Sequence, residues 1–478
     1  MKNKFYITTP IYYVNAKPHI GHAYTTIAAD VLARFHKIQK DEVFFLTGTD
    51  EHGMKIQKEA EKAGKEPQIF VDEISGEFEN LWKKLDIQYD NFIRTTDEKH
   101  KKAVQKVLKT LFDKGAIYKG EYEGLYCTGC EQFLNESDLV DGKCPDHGTQ
   151  PEKMKEESYL LKMTELQEKL ISAIEKDDFQ IRPEKYKNEI LSFLKKQELK
   201  DLSISRKNVS WGIPLPFDES HTAYVWVDAL LNYLTGIGFD GENIPENWPA
   251  NVQLIGKDIL RVHATIWPVL LMYLGISFPK MLFVHGHILS GGKKMSKTLG
   301  NTISIEEMVE KFGIEGTRYL LLSAGIFGND IDVTMDRLIE KYNSDLANGL
   351  GNLTSRVVKL SEKIDKKFET FNNLEEVLGE NEYSFMKEKE DWVPGCRFDF
   401  LLDVVTAQVG ILNKEIEDNK PWDLAKNNPE EFEKFMLKIG NALSAFPILL
   451  EPFMPETAEK IKEALEEKKT SILFGRIK

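Results

Sequence analysis

The apolar residues of the first fifty positions change their spacing twice. "KFYITTPIYYV" is dense in aromatic and β-branched residues and predicts a strand. "HAYTTIAADVLARFHKIQK" follows with Ile27, Val31, Leu32 and Phe35 at helical spacing, which predicts a helix. "EVFFLTGTDEHG" is then a short apolar run ending in glycine and polar residues, the pattern of a buried parallel strand handing over to a loop. Strand, helix and strand in that order open a doubly wound α/β domain, whose ligands sit at the carboxyl ends of the strands. Both "PHIGH" and "GTDEHG" fall at such ends.

From about residue 114 the pattern breaks. "GAIYKGEYEGLYCTGCEQFLNESDLVDGKCPDHG" is turn-rich and reads as an insertion, after which "YVWVDALLNYL", "VQLIGKDIL" and "MLFVHGHIL" restore the α/β alternation. From roughly residue 335 onward helical spacing dominates, as in "LANGLGNLTSRVVKLSEKI" and "DFLLDVVTAQVGILNKEIE". The charge-rich "LEEVLGENEYSFMKEKEDW" reads as a mobile connection between helices, and no internal repeat is present.

Length and composition sharpen this only a little. A chain of 478 residues exceeds one ordinary core and suggests about three domains. No apolar stretch is long enough for a membrane span, and the N-terminus lacks a signal core, so a cytoplasmic protein without membrane partners is expected. The net charge of −14 disfavours non-specific adhesion to nucleic acid but leaves room for a specific RNA partner. Of four cysteines, Cys396 stands alone as a small buried hydrophobe, while three cluster.

That cluster changes the picture. Cys127 and Cys130 in "CTGC", then Cys144 and His147 in "CPDH", form two ligand pairs of the kind that close a tetrahedral zinc site. Four protein ligands leave no position for substrate, so the expected Zn2+ is structural. A second chemical stretch is "LSGGKKMSKTLGNTISIEEM". Gly291 and Gly292 are expected to loosen a loop bearing Lys293, Lys294 and Lys297, and Ser304 with Glu307 forms a capping box for the next helix. Mobile lysines suit a leaving polyphosphate. The G-x-x-x-x-G-K-[ST] spacing is missing, which excludes a P-loop kinase or ATPase. His19 and His22, around Gly21 at a helix entrance, add imidazole donors where unpaired backbone N–H groups already favour phosphate.

"PHIGH" and "KKMSKT" together resemble the two signatures of class I aminoacyl-tRNA synthetases, the second departing only in Thr298. Over its whole length the chain resembles the methionyl-tRNA synthetase family, with "TTPIYYVNAKPHIGH", "GTDEHG", "YVWVDALLNY", "GKDILRVHATIWP" and "KMSKTLGN" in that family's order. The resemblance implies a methionine–tRNA ligase that forms methionyl-adenylate from ATP and then charges tRNA(Met), initiator and elongator. It implies a Rossmann-like catalytic domain (1–113 and 225–285) split by a zinc-knuckle insertion (114–224). A linking segment with the lysine loop (286–340) and an all-α anticodon-binding domain (341–478) follow. His19, His22, Lys294 and Lys297 would be catalytic. ATP, with Mg2+, would meet these residues together with Gly21, Gly256 and Asp258. Ile11, Tyr13, Asp50, Trp226, Ala229, Tyr233 and His263 would hold methionine, Asp50 through its α-ammonium group. A thioether favours aromatic edges, and a hydroxyl such as that of Tyr233 can satisfy its sulfur. Asn352, Arg356 and Trp422 would read the anticodon.

Trp267 reads as core or pocket wall, and His52, His285 and His287 as phosphate, pocket or satisfied loop groups. The short insertion disfavours leucine, isoleucine and valine relatives. A closed knuckle disfavours the cysteine enzymes, whose metal meets the substrate. A binding-only relative would be expected to lose His22 or the lysines, and small nucleotidyltransferases lack the knuckle and helical tail. An end at "ILFGRIK", without the appended domain of some relatives, gives a monomer as the expectation.

Overall fold

Phe5, Tyr6 and Ile7 are all buried, because the strand they form lies inside a sheet covered on both faces. That strand, β1 (Lys4–Thr8), does not extend through the whole of "KFYITTPIYYV": Pro10 cannot donate to a ladder, and pairing resumes only in β2 (Tyr12–Tyr13). α1 (Ile20–Ile38) then crosses to β3 (Glu42–Asp50). The computed structural model describes residues 3–127, 132–134, 139–145, 148–207, 209–295, 301–379, 395–469 and 472–478.

Among the described residues the main sheet has seven strands, all parallel. β3 pairs with β1 along one side and with β4 (Asn91–Arg94) along the other, while β2 extends the pairing at its carboxyl end, Tyr13 opposite Asp50. On the other side of β1 lie Val252–Gly256, Met281–His285 and Gln180–Arg182, the last contributed from within the 114–224 span. The chain thus builds outward from β1 in one direction and later in the other. The reversal between β1 and Val252–Gly256 opens a crevice at their carboxyl ends.

In the insertion a long antiparallel pair, Ile117–Cys127 with Glu152–Leu161, carries Cys127 to its tip and anchors a four-stranded sheet. After the main sheet, Ile288–Ser290 pairs with Lys293–Lys294 across Gly291 and Gly292, whose φ values are 63° and 73°. Two successive positive φ angles make the tight turn of a two-residue hairpin. The glycines therefore define a turn here instead of loosening a loop.

The C-terminal region is built from helices. Tyr342–Gly351 winds with the wider π spacing directly into Asn352–Ser361, and Phe398–Asn419, Pro421–Asn427, Pro429–Ser444 and Pro455–Glu467 pack beyond it. Proline opens the last three, where its missing N–H costs no bond. Of the expected charged connection, Leu374–Leu378 is a short helix and residues 380–392 lie outside the described part. Cys396 is buried as expected. Among the described residues no helix is long and apolar enough to cross a membrane.

One buried cation ties these layers. Arg318, on the helix Ile305–Ser323, donates to Asp30 of α1 (2.7 Å), to the Leu85 carbonyl (3.2 Å) and to the carbonyls of Pro452 (3.1 Å) and Phe453 (2.8 Å). Both Arg318 and Asp30 are fully buried.

Candidate active site at the carboxyl edge of the sheet

His19 caps α1 with its side chain. Its Nδ1 accepts from the Gly21 N–H at 3.1 Å, and His22 Nδ1 accepts in return from the His19 N–H at 3.2 Å. This is a capping box made of two imidazoles. Each Nδ1 is an acceptor, so each neutral ring carries its proton on Nε2. The rings stack at 3.6 Å between centroids, which disfavours charging both. Burial, and then the neighbouring His19, push His22 well below the ordinary imidazole range, with Asp258 pulling the other way. A Cβ on residue 21 would stand 3.1 Å from the His19 ring, close enough that the capping imidazole would have to give way by a few tenths of an ångström. Tyr12 leans on the His22 ring at 4.7 Å, its hydroxyl bonded to Thr26 at 2.6 Å.

On the far side of the crevice the strand Val252–Gly256 ends beside Asp258. A Cβ on Gly256 would fall 2.5 Å from Asp258 Oδ1, so the carboxylate folds back over the bare backbone. His287 Nε2 lies 3.9 Å from the same oxygen, and the His287 N–H donates to Asp330 at 2.8 Å. His285 is a satisfied group: its Nδ1 lies 2.8 Å from the Gly286 carbonyl and its Nε2 2.7 Å from Thr25 Oγ1. Burial pushes it down to about 4.

The expected side-chain pocket gathers from four segments. Trp226 and Ala229 sit on Val225–Leu230, Tyr233 just after it, His263 on Leu260–Leu274, and Ile11 and Tyr13 before α1. The Trp226 and His263 rings meet edge to face at 6.4 Å. His263 Nδ1 lies 2.9 Å from the Ile259 carbonyl, so its Nε2 accepts from the Tyr233 hydroxyl at 2.8 Å. The Tyr233 proton is thereby committed to His263 and not to a ligand's sulfur, as its sequence context suggested. Burial holds His263 neutral, pushed down to about 4. Trp267 is core, its indole N–H donating to Gln253 at 3.1 Å.

The "GTDEHG" loop is clamped from both sides. Glu51, fully buried, takes Arg94 Nε and Nη2 at 2.7 and 2.9 Å, with hydroxyls of Thr49 and Thr96 on the same carboxylate. His52 donates to Asp228, which also accepts from His100. Burial alone would raise the Asp228 carboxyl, but the two histidines hold it below the ordinary range. Asp50, the last residue of β3 before this clamp, is itself buried. Sequence reasoning singled out neither Arg94, Asp228 nor His100. The available signal was one carboxylate inside the apolar run "YVWVDALL".

Of the lysine loop, Lys294 pairs through its backbone with Leu289, and Lys297 lies outside the described residues. Ser304 Oγ caps the following helix by accepting from the Glu307 N–H at 3.0 Å. In the expected knuckle, Cys127 and Cys144 are buried and both touch Thr149: Cys127 Sγ lies 3.9 Å from its hydroxyl, and the Cys144 N–H donates to its carbonyl at 2.9 Å. Cys130 and His147 lie outside the described residues, and among the described ones no group of three metal-ligating side chains occurs. In the helical region Asn352 is exposed and Trp422 is 40% exposed, while Arg356 reaches Asn413 at 3.3 Å and Glu417 at 3.6 Å.

Comparison with known proteins fits this geometry. The family described as tRNA synthetases class I (M) matches residues 5–150 and 147–358. The methionine–tRNA ligase of Clostridium acetobutylicum is 46% identical over 97% of this chain and 73% of its own length. That of Caldanaerobacter subterraneus is 44% identical over 100% and 77%. Among solved structures, Mycobacterium tuberculosis methionyl-tRNA synthetase in complex with methionyl-adenylate is 34% identical with a TM-score of 0.88, covering 100% of this chain and 98% of that one. The free state of the same enzyme gives 0.81 at 31% identity, covering 100% and 99%.

Proposed function

Because the chain belongs to the methionyl class I tRNA synthetases, we infer that the groups gathered at the carboxyl edge of its sheet carry that family's reaction. The activity is that of a methionine–tRNA ligase. A carboxylate oxygen of methionine attacks the α-phosphorus of ATP, the bond to the β-phosphate oxygen breaks, and pyrophosphate leaves with its electron pair. The methionyl group of the adenylate then passes to a ribose hydroxyl at the 3′ end of tRNA(Met), releasing AMP.

In this reading His19 and His22 act as neutral donors through Nε2–H at the amino end of α1, where the backbone already favours phosphate. Lys294 and Lys297 would follow the departing pyrophosphate, and Mg2+ on the triphosphate supplies charge neutralisation. Gly21, Gly256 and Asp258 would seat the nucleotide. Asp50 takes the ammonium group, while Ile11, Tyr13, Trp226, Ala229, Tyr233 and His263 enclose the thioether. With the Tyr233 proton engaged, the pocket offers the sulfur aromatic edges and a neutral imidazole rather than a strong donor.

The observation that carries this reading is the imidazole capping box, which fixes both histidine tautomers beside the switch-point crevice. Amino-acid-dependent exchange of labelled pyrophosphate into ATP tests it. Exchange with methionine alone is expected; exchange with another amino acid would overturn the pocket, and none, with or without tRNA, would overturn the site.

The zinc proposal has the support of two buried cysteines that both touch Thr149, Cys127 through its thiol and Cys144 through its backbone N–H, and Cys130 and His147 would complete the set. Mass spectrometry of the metal should find one zinc per chain, lost in Cys144→Ser. We place anticodon reading on Asn352, Arg356 and Trp422, and take the enzyme to work as a cytoplasmic monomer, which light scattering checks.

A further inference from the structure

Asp228 is the one acidic side chain in the run "YVWVDALLNYL", and it is 1% exposed. Each of its oxygens accepts one histidine: Oδ2 from His52 Nδ1 and Oδ1 from His100 Nε2, both at 2.7 Å. His100 is fully buried and braced by Thr235 Oγ1, 2.7 Å from its Nδ1. The His52 ring lies 5.6 Å from that of Trp211, whose indole N–H donates to the Glu51 carbonyl at 2.6 Å. Three segments therefore meet on one carboxylate: the loop after β3, the helix Glu98–Asp113 and the helix Val225–Leu230. None of the three side chains has a part in the phosphate chemistry.

Burying a carboxylate is costly unless it is paired, and an apolar contact would have joined these segments without that cost. What two charge-assisted bonds add is direction. They fix both the separation and the rotation of the elements they join. On one side of the junction, two residues before His52, stands Asp50. On the other, flanking Asp228, stand Trp226 and Ala229. We propose that Asp228, gripped by His52 and His100, is a positioning residue that sets the distance between the ammonium-binding carboxylate and the wall of the methionine pocket. It acts on the amino acid and not on ATP. The proposal rests on the pocket assignment above and adds to it the group that holds the pocket in shape.

The test is a KM comparison in pyrophosphate exchange on the full chain. Wild type must first exchange with methionine; failure there overturns the pocket reading itself. His52→Ala deletes one bond, and His52→Asn places an amide N–H near where Nδ1–H stood. His52→Ala should raise the KM for methionine roughly tenfold to a hundredfold, the range for a lost buried bond to a charge. The KM for ATP should stay within about twofold, and His52→Asn should recover most of the loss. His100→Ala and His100→Gln repeat the comparison from the other oxygen. A parallel rise in both KM values, or asparagine no better than alanine, would overturn the proposal. If the alanine variants fail to fold, the asparagine and glutamine variants decide: their displaced donors should still shift the methionine KM severalfold, and unchanged values in both would overturn it.

Discussion

At the carboxyl edge of the parallel sheet, polar side chains are buried and bonded to one another. In the C-terminal helices the residues proposed to read the anticodon stand at or near the surface. Glu51, Asp228, His100 and His263 are enclosed with partners at hydrogen-bond distance. Asn352 and Trp422 face water, and Arg356 makes two long contacts across to the neighbouring helix. The two tasks proposed for these regions would account for the difference. An in-line displacement at phosphorus needs donors fixed before substrate arrives, because reorganisation during the reaction would add to the barrier. Unstacked bases are met by amides, guanidinium groups and aromatic faces that can adjust as they bind.

The largest effect is expected where the two regions join. Replacing Arg318 with leucine removes four bonds at once and leaves the Asp30 carboxylate buried with one cation fewer. Breaking a buried pair from one side costs about 3–5 kcal/mol. Urea unfolding of Arg318→Leu should register a loss of that size, and a loss below about 1 kcal/mol would mean the regions are joined chiefly by apolar packing. Next in size is His22→Ala. It removes half of the cap together with the proposed phosphate donor, and kcat for exchange should fall roughly a hundredfold to a thousandfold. An unchanged kcat would take the phosphate role away from this ring.

How legible each region was follows the distance over which its interactions run. The entrance of α1 was readable because His19, Gly21 and His22 act on one another within four residues. The pairing that clamps the pocket was not: Asp228 meets His100 from 128 positions away and His52 from 176. Nothing local marks either partner. Arg318 and Asp30, separated by 288, were silent for the same reason. Gly291 and Gly292 were misjudged differently, since glycine permits both a loose loop and a positive-φ turn, and only the partner strand decides.

Acid should separate the regions further. All ten histidines precede residue 288, so the C-terminal helices carry none. His263 and His285 are held neutral in the fold, each with a pKa of about 4, against about 6.5 when unfolded. The unfolded chain therefore binds more protons below pH 6.5, and stability present above that value is lost as pH falls toward 4. At pH 5 each histidine should account for about 2 kcal/mol of that loss. In His263→Gln the stability difference between pH 7 and pH 5 should shrink correspondingly. A slope equal to that of wild type would show that the imidazole does not titrate in this window.

The smallest effect, and the one that most directly probes the division of labour, is that of Trp422→Ala. The indole is at the surface, on the short helix that Pro421 opens, so its loss should leave the fold and pyrophosphate exchange unchanged. Stacking of a base on an aromatic ring is worth about 1–3 kcal/mol, which corresponds to a loss of roughly tenfold in kcat/KM for tRNA charging. Substitution by phenylalanine keeps a stacking face and should restore most of it, whereas leucine keeps bulk without that face and should not. Equal loss of exchange and charging would mean that the helical region shapes the catalytic crevice itself. Arg318 is one route for that coupling, reaching from the Pro452 and Phe453 carbonyls to Asp30 in the helix that His19 caps.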